Sequence, residues 1–402
     1  MAWRRSIAPF YGAVLCGLLA ACGSGGPPAA PGPTDASPPP APLGPSGFLH
    51  VLVGEDLTTY RIDPATGRLQ ATVVQPMGDV HQIAGEPKGR FVYMAYGPRS
   101  AQAPYGKPRP SIVAYAPRAS DGALSPISEG TSDPIWRSSM PVACRWTSLS
   151  ASVDRVHAMW ITITYHDAYY NYVTHPVGPD GQIGPDYDYP FEDECGGNGF
   201  VDGRANLLYK QGCTGVTAHV VGIDGHLTQT GDRNVCVSTP AYSPLPIGAA
   251  RGLLLARAFP TGEPGPTVCT YEGPGLAPRA NLGFAAGWAE ALVPVDETVP
   301  AQIAIPVSVP ASAVPARHEL RLYGLCSGGE LQIQGVVATT DRVDGAVFHP
   351  AGRFLFASVG KALEVYTFRP EGGLTRVESV PSAGGRMAVT VPRTTAATGA
   401  PY

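Results

Sequence analysis

Between residues 165 and 195 the chain crowds tyrosines, carboxylates and two histidines together. The first stretch reads Thr164-Tyr165-His166-Asp167-Ala168-Tyr169-Tyr170-Asn171-Tyr172, an imidazole beside an acid among aromatic rings. The second supplies Asp186, Asp188, Glu192, Asp193 and Glu194, interleaved with Tyr187, Tyr189 and Phe191. Rings with an apolar face and a polar tip suit sugars or peptide side chains. Tyr165, His166, Asp167, Tyr169, Tyr170, Asp186, Asp188 and Glu192 are therefore the candidate ligand face, for a protein or a glycan. The same residues also read as strand positions packed between neighbours, followed by a solvated acidic loop. His166 and Asp167 are a poor acid–base pair, because adjacent residues of an extended chain point apart. Clustered carboxylates could hold Ca²⁺, but the spacing of an EF-hand loop is absent. No other metal or cofactor is expected.

Other chemistries find little footing. There is no Gly-x-Ser-x-Gly elbow, and the glycine-rich stretches read as turns rather than as a strand–loop–helix phosphate cradle. The cysteines show no Cys-x-x-Cys or Cys/His zinc spacing. The formal net charge of −4 comes without a basic cluster, which argues against nucleic-acid binding. No basic pocket for a phosphate is evident along the chain either, and nothing in it calls for more than a monomer.

The chain begins with an address. Arg4 and Arg5 precede an apolar run from Ser6 to Ala21, too short to cross a bilayer comfortably and right for an export signal. Leu19-Ala20-Ala21-Cys22 resembles the lipobox of bacterial lipoproteins. That resemblance makes residues 1–22 a signal peptide and Cys22 the acylated N-terminus, with the membrane reached through the lipid. Residues 23–46 hold little but Gly, Pro, Ala and Ser, with no apolar surface to bury, and form an extended tether. Gly23 and Ser24 after the cysteine favour the outer membrane of the cell envelope. The folded domain is expected over 47–393, with a disordered tail at 394–402.

A repeat supplies the elements that would position a site. An apolar strand ending in Tyr or His, then a Gly turn, then Leu or Ile recurs with anchors at Tyr60, Tyr115, His175, His219, Tyr271, Tyr323 and Tyr366. Short strands and turns recurring about every 50 residues are the signature of a β-propeller. With 49 glycines, 43 prolines and only 15% charged residues, the composition agrees. Most repeats carry an upstream strand pair, as in Ala346-Val-Phe-His349-Pro350-Ala-Gly352-Arg353-Phe-Leu-Phe. The first repeat lacks its upstream strand, and a spare one appears at Gly385-Arg-Met387-Ala-Val389-Thr-Val391. We therefore expect an all-β, seven-bladed propeller, closed by pairing of its N- and C-terminal strands. His175 and His219 take the tyrosine position and are expected as core fillers, and His349 as part of a turn. Six cysteines follow Cys22, enough for three disulfides in an oxidising compartment. Cys195 and Cys213, flanking the fourth blade's first strands, are the candidate local pair.

The segments His349-Pro-Ala-Gly-Arg-Phe-Leu-Phe356, Leu363-Glu-Val-Tyr366 and Tyr60-Arg-Ile-Asp63-Pro-Ala-Thr66-Gly67-Arg-Leu69 resemble the seven-bladed lactonase-type propellers, the 6-phosphogluconolactonase-like and YVTN-repeat proteins. The likeness is good in the first, second and seventh repeats and poor in the third, fifth and sixth. It implies the fold and, as an activity, hydrolysis of a sugar lactone. No catalytic residue of that family maps onto a position here. Two functions therefore compete: an anchored binding or scaffold propeller using the Tyr/acidic loops, and a lactonase-like hydrolase.

Overall fold

The apolar runs are too short for helices and are bounded by glycine turns, so they pair with their sequence neighbours as strands. A computed structural model describes residues 47–97, 110–132, 143–163, 168–190, 199–202, 206–211, 215–233, 245–258, 267–282, 290–292, 301–309, 317–325, 330–368 and 373–391. These residues form seven four-stranded sheets, every pairing in them antiparallel, with no helix among them. The sheets are the blades of a propeller, numbered here in chain order.

Each blade turns one edge toward a central channel. The innermost strands of blades 2 to 7 are Val80–Gly85, Ala143–Ala151, Gly199–Asp202, Leu245–Ala250, Glu290–Leu292 and Val343–Phe348. Blade 1 takes its innermost strand, Arg386–Thr390, from the other end of the chain. Every inner strand packs beside the next, and Arg386–Thr390 packs beside those of both blade 7 and blade 2. The ring is thereby closed.

The closing strand pairs antiparallel with Phe48–Val53, setting Phe48 opposite Thr390 and Leu52 opposite Arg386. His50 fastens this seam. Its Nε2 lies 2.8 Å from Thr390 Oγ1 and its Nδ1 3.1 Å from Thr59 Oγ1. Complete burial pulls its pKa down to about 3, because a charged imidazole there would lose its hydration.

Blades bury both faces against their neighbours, so their middle strands are apolar without alternation. Val92–Tyr96 is buried at every position, as is Phe354–Val359. Between blades 2 and 3 the packing brings together Phe91, Tyr93, Trp146, Val156, Trp160 and Val173. Trp146 and Trp160 meet edge to face there, with ring centroids 5.0 Å apart. Cys269, on the third strand of blade 5, is disulfide-bonded.

The recurring Gly-x-Leu turn is a clamp between blades. In blades 1 to 3 this turn presents a backbone N–H to the preceding blade: Leu69 donates to Glu378 Oε2 at 2.8 Å, Leu124 to Gln75 Oε1 at 2.7 Å, and Ile183 to Ser128 Oγ at 2.7 Å. The glycine is required twice over. Gly122 has φ of 77°, and a Cβ there would fall 2.4 Å from the Phe48 ring of blade 1. Gly181, at φ 87°, stands in the same way against Phe91 of blade 2. The repeat visible in the sequence is thus the residue set that joins one blade to the next.

Candidate functional site

The channel has two ends, and the chain treats them differently. Gly-x-Leu turns and the first-to-second-strand turns lie at one end, the turn face. Connections between blades and those joining second to third strands lie at the other, the loop face. Inner strands all start at the loop face, so residues early in them surround the channel mouth.

Three of those strands wall a cavity of about 280 Å³. Blade 2 contributes Val80, His81 and Gln82, blade 3 contributes Arg145, Trp146 and Thr147, and blade 1 contributes Arg386. Most of these side chains are fixed by neighbours. Gln82 Nε2 donates to the carbonyl of Thr147 at 3.2 Å, tying the inner strands of blades 2 and 3 together. The indole of Trp146 donates to the carbonyl of Tyr96 at 2.8 Å, which fixes the ring in the blade 2–3 seam.

His81 is held at both nitrogens. Its Nδ1 accepts the backbone N–H of Trp146 at 3.3 Å, which assigns the proton of the neutral ring to Nε2. Nε2 faces Asp79 Oδ2 at 3.4 Å. Gly97 lies directly over this pair: a Cβ there would come within 2.7 Å of His81 Nε2 and 3.0 Å of Asp79 Oδ2. Any other residue at 97 would push the imidazole off its hydrogen bonds.

Arg145 and Arg386 supply the charge. Both residues are exposed at the mouth. The surrounding wall strips water from Arg386 and lowers its pKa from the ordinary guanidinium value. Arg145 reaches the blade 3 rim, where its charge offsets part of the upward pull that burial exerts on the Tyr170 hydroxyl. A basic pocket that no stretch of sequence displays is thus assembled from strands far apart in the chain.

The tyrosine–carboxylate cluster is spread along blade 3. Tyr169 and Tyr170 start the third strand, Ala168–Pro176, at the loop face, while Asp186 and Tyr187 stand where the outer strand, Tyr187–Pro190, begins. The register sets Thr174 opposite Tyr187 and Asn171 opposite Pro190. Reversal of the chain between these strands therefore carries Asp186 to the turn-face end. Tyr187 is engaged there, stacked edge-on and hydrogen-bonded to His226 of blade 4. Asp188 is half-buried on the outer strand opposite Val173. Tyr170 packs partly buried against the Met159, Tyr172 and Leu208 cluster. Tyr165, His166, Asp167, Glu192, Cys195, Cys213 and Cys22 lie outside the described residues, as does the side chain of Tyr169.

His175, His219 and His349 take structural places in the fold. His175 is buried between Ser132 Oγ, 3.2 Å from Nε2, and the carbonyl of Gly184, 3.1 Å from Nδ1. His219 is also buried. His349 accepts the Ala351 N–H on Nδ1 at 3.1 Å, closing its turn. Among the described residues no group of three His, Cys, Asp or Glu is placed to hold a metal ion.

No family model matches the chain, and no curated protein matches it in sequence. Solved structures do match in shape. The periplasmic gluconolactonase PpgL of Pseudomonas aeruginosa superposes with a TM-score of 0.56 at 14% identity, over 86% of this chain and 100% of its own. A putative 6-phosphogluconolactonase of Bacteroides fragilis gives 0.57 at 12% identity, over 88% of this chain and 99% of its own. One from Bacteroides uniformis gives 0.59 at 10% identity, covering 86% and 99%. At these identities the likeness is one of fold: the chain is a seven-bladed β-propeller of the lactonase-like architecture.

Proposed function

We propose that this protein is a lipid-anchored propeller of the bacterial cell envelope that binds a small ligand in its channel mouth, between blades 1, 2 and 3. The observation that carries this reading is the cavity itself, walled by three inner strands with fixed Gln82, Trp146 and His81 side chains and two projecting arginines. Preformed concave sites with a few oriented polar groups are the usual form of small-molecule sites. The signal, lipobox and tether of residues 1–46 support the address. Substituting Cys22→Ala should leave the protein exported but recovered in the soluble fraction.

Lactone opening is the second reading. It draws on the Asp79–His81 pair at the cavity and on the names of the gluconolactonase-like structures. Activating water for that reaction calls for a base with a free lone pair. The lone pair of His81 Nδ1 is occupied by Trp146 N–H, and Nε2 carries the proton. Geometry therefore favours binding over turnover. Titrating the full chain with D-glucono-1,5-lactone and D-gluconate, while following lactone loss, separates the two. Binding predicts saturable heats that vanish in Gln82→Trp, with lactone lost no faster than in buffer. Rapid lactone loss that disappears in His81→Asn would establish the hydrolase instead.

A further inference from the structure

Several arginines on the blade bodies meet carboxylates: Arg90 with Glu86 at 2.8 Å, Arg118 with Asp121 at 2.5 Å, Arg321 with Glu319 at 2.8 Å, and Arg376 with Glu364 at 2.9 Å. The side chains of Arg145 and Arg386 form no hydrogen bond or ion pair with any described residue, yet they line one cavity. They stand on the inner strands of blades 3 and 1, with that of blade 2 between them, so the cavity lies between two positively charged walls.

Asp79 is turned to His81 Nε2, and Asp344, on the inner strand of blade 7, lies 3.5 Å from Arg342 Nε. The other polar side chains of the wall are committed as well, Gln82 to the Thr147 carbonyl and His81 to Trp146 N–H. Among the described side chains of the wall, the two guanidinium groups remain to meet a ligand. Like charges beside a confined, partly dehydrated space repel each other unless an anion stands between them. A guanidinium also offers a planar fork of donors that matches the oxygens of a carboxylate or phosphate. A cavity of about 280 Å³ sits at the small end of ligand sites, typically about 300–1,000 Å³, so the guest is compact.

We infer that the channel mouth seats a small organic anion, its carboxylate or phosphate group held between Arg145 and Arg386, and thereby selects acids over neutral sugars. This rests on the channel mouth being the ligand site. No covalent step is involved.

Calorimetric titration of the full chain with D-gluconate, D-glucose 6-phosphate and D-glucose tests the inference. At least one of the two anions should bind ten-fold or more tighter than glucose, and the tighter of them identifies the group as carboxylate or phosphate. Arg145→Gln and Arg386→Gln should each weaken anion binding ten-fold or more, with glucose unaffected and the melting temperature held. Raising the salt from 50 to 500 mM should weaken the anions in the wild type and much less in the variants. Glucose binding as tightly as both anions, or arginine variants that bind like wild type, would overturn the inference while leaving the channel-mouth site in place. Absence of binding by all three probes and by D-glucono-1,5-lactone would remove the site and the inference together.

Discussion

The turn face and the channel mouth of this ring are built on opposite rules. At the turn face one solution recurs in blades 1 to 3: a left-handed glycine under an aromatic ring of the preceding blade, with the amide two residues on donated across the seam. At the mouth nothing recurs. Val80-His81-Gln82, Arg145-Trp146-Thr147 and Arg386 occupy corresponding starts of adjacent inner strands, and their side chains share no pattern. Seams of similar geometry favour the same turn residues in successive blades, as blades 1 to 3 show. The mouth is free of that demand, so its residues can answer to a ligand. Residues that repeat hold the ring, and residues that break the repeat confer what is particular to this chain.

Removing the closing strand is the most severe way to break the comparison. Deletion of residues 385–402 strips blade 1 of its inner strand and exposes the Phe48–Val53 edge. Cooperative thermal unfolding should be lost, and a melt like that of the full chain would show that closure adds nothing. Next comes a glycine pair. Gly122→Ala must place a Cβ 2.4 Å from the Phe48 ring at positive φ, whereas Gly54, at φ 60°, has open space around it. Left-handed backbone costs an ordinary residue about 1–2 kcal/mol, and overpacking adds about 1–3 kcal/mol more. Gly122→Ala should therefore lower stability in denaturant melts by roughly 3 kcal/mol, and Gly54→Ala by about 1 kcal/mol.

Acid provides a finer probe of the seams. Burial lowers the pKa of His50 and His157 to about 3 and that of His349 to about 4. In the unfolded chain these rings take up protons below about pH 6.5, while in the fold they stay neutral. Protonation therefore favours unfolding, and stability falls as pH drops from about 6.5 toward 3, by up to about 1.4 kcal/mol per pH unit for each ring. Melting temperatures at pH 7, 5 and 4 should decline, and His50→Asn should flatten part of the slope. The smallest structural effect belongs to the mouth. Arg386→Gln should leave the melt within about 0.5 kcal/mol of wild type, since an exposed side chain with no ion pair among the described residues stabilises little.

The division between repeating and non-repeating residues also explains what the sequence discloses. Blade count and closure are legible because the seams reuse local motifs, turns such as Asp121-Gly122-Ala-Leu124 among them, and because a spare strand at Arg386–Thr390 matches a missing one. The second strand of blade 6, Ala301–Val309, is hidden by Pro306, which removes a backbone donor and argues against an inner position in a sheet. The mouth is hidden for another reason. His81, Arg145 and Arg386 are brought together by ring closure, and each is one polar residue at the start of an otherwise ordinary strand. A register that lines up the inner strands of successive blades would have disclosed all three. Crowding in sequence misleads in the opposite direction at blade 3, where the hairpin carries Asp186 away from Tyr170.

Hydrogen exchange on the full chain with and without saturating D-gluconate places the ligand most directly. Slowed exchange should be confined to the starts of the inner strands, around residues 80–82, 145–147 and 386–388, with the Gly-x-Leu turns unchanged. Protection centred on the turn face, or on the blade 3 loops with the inner strands untouched, would contradict a site in the channel mouth.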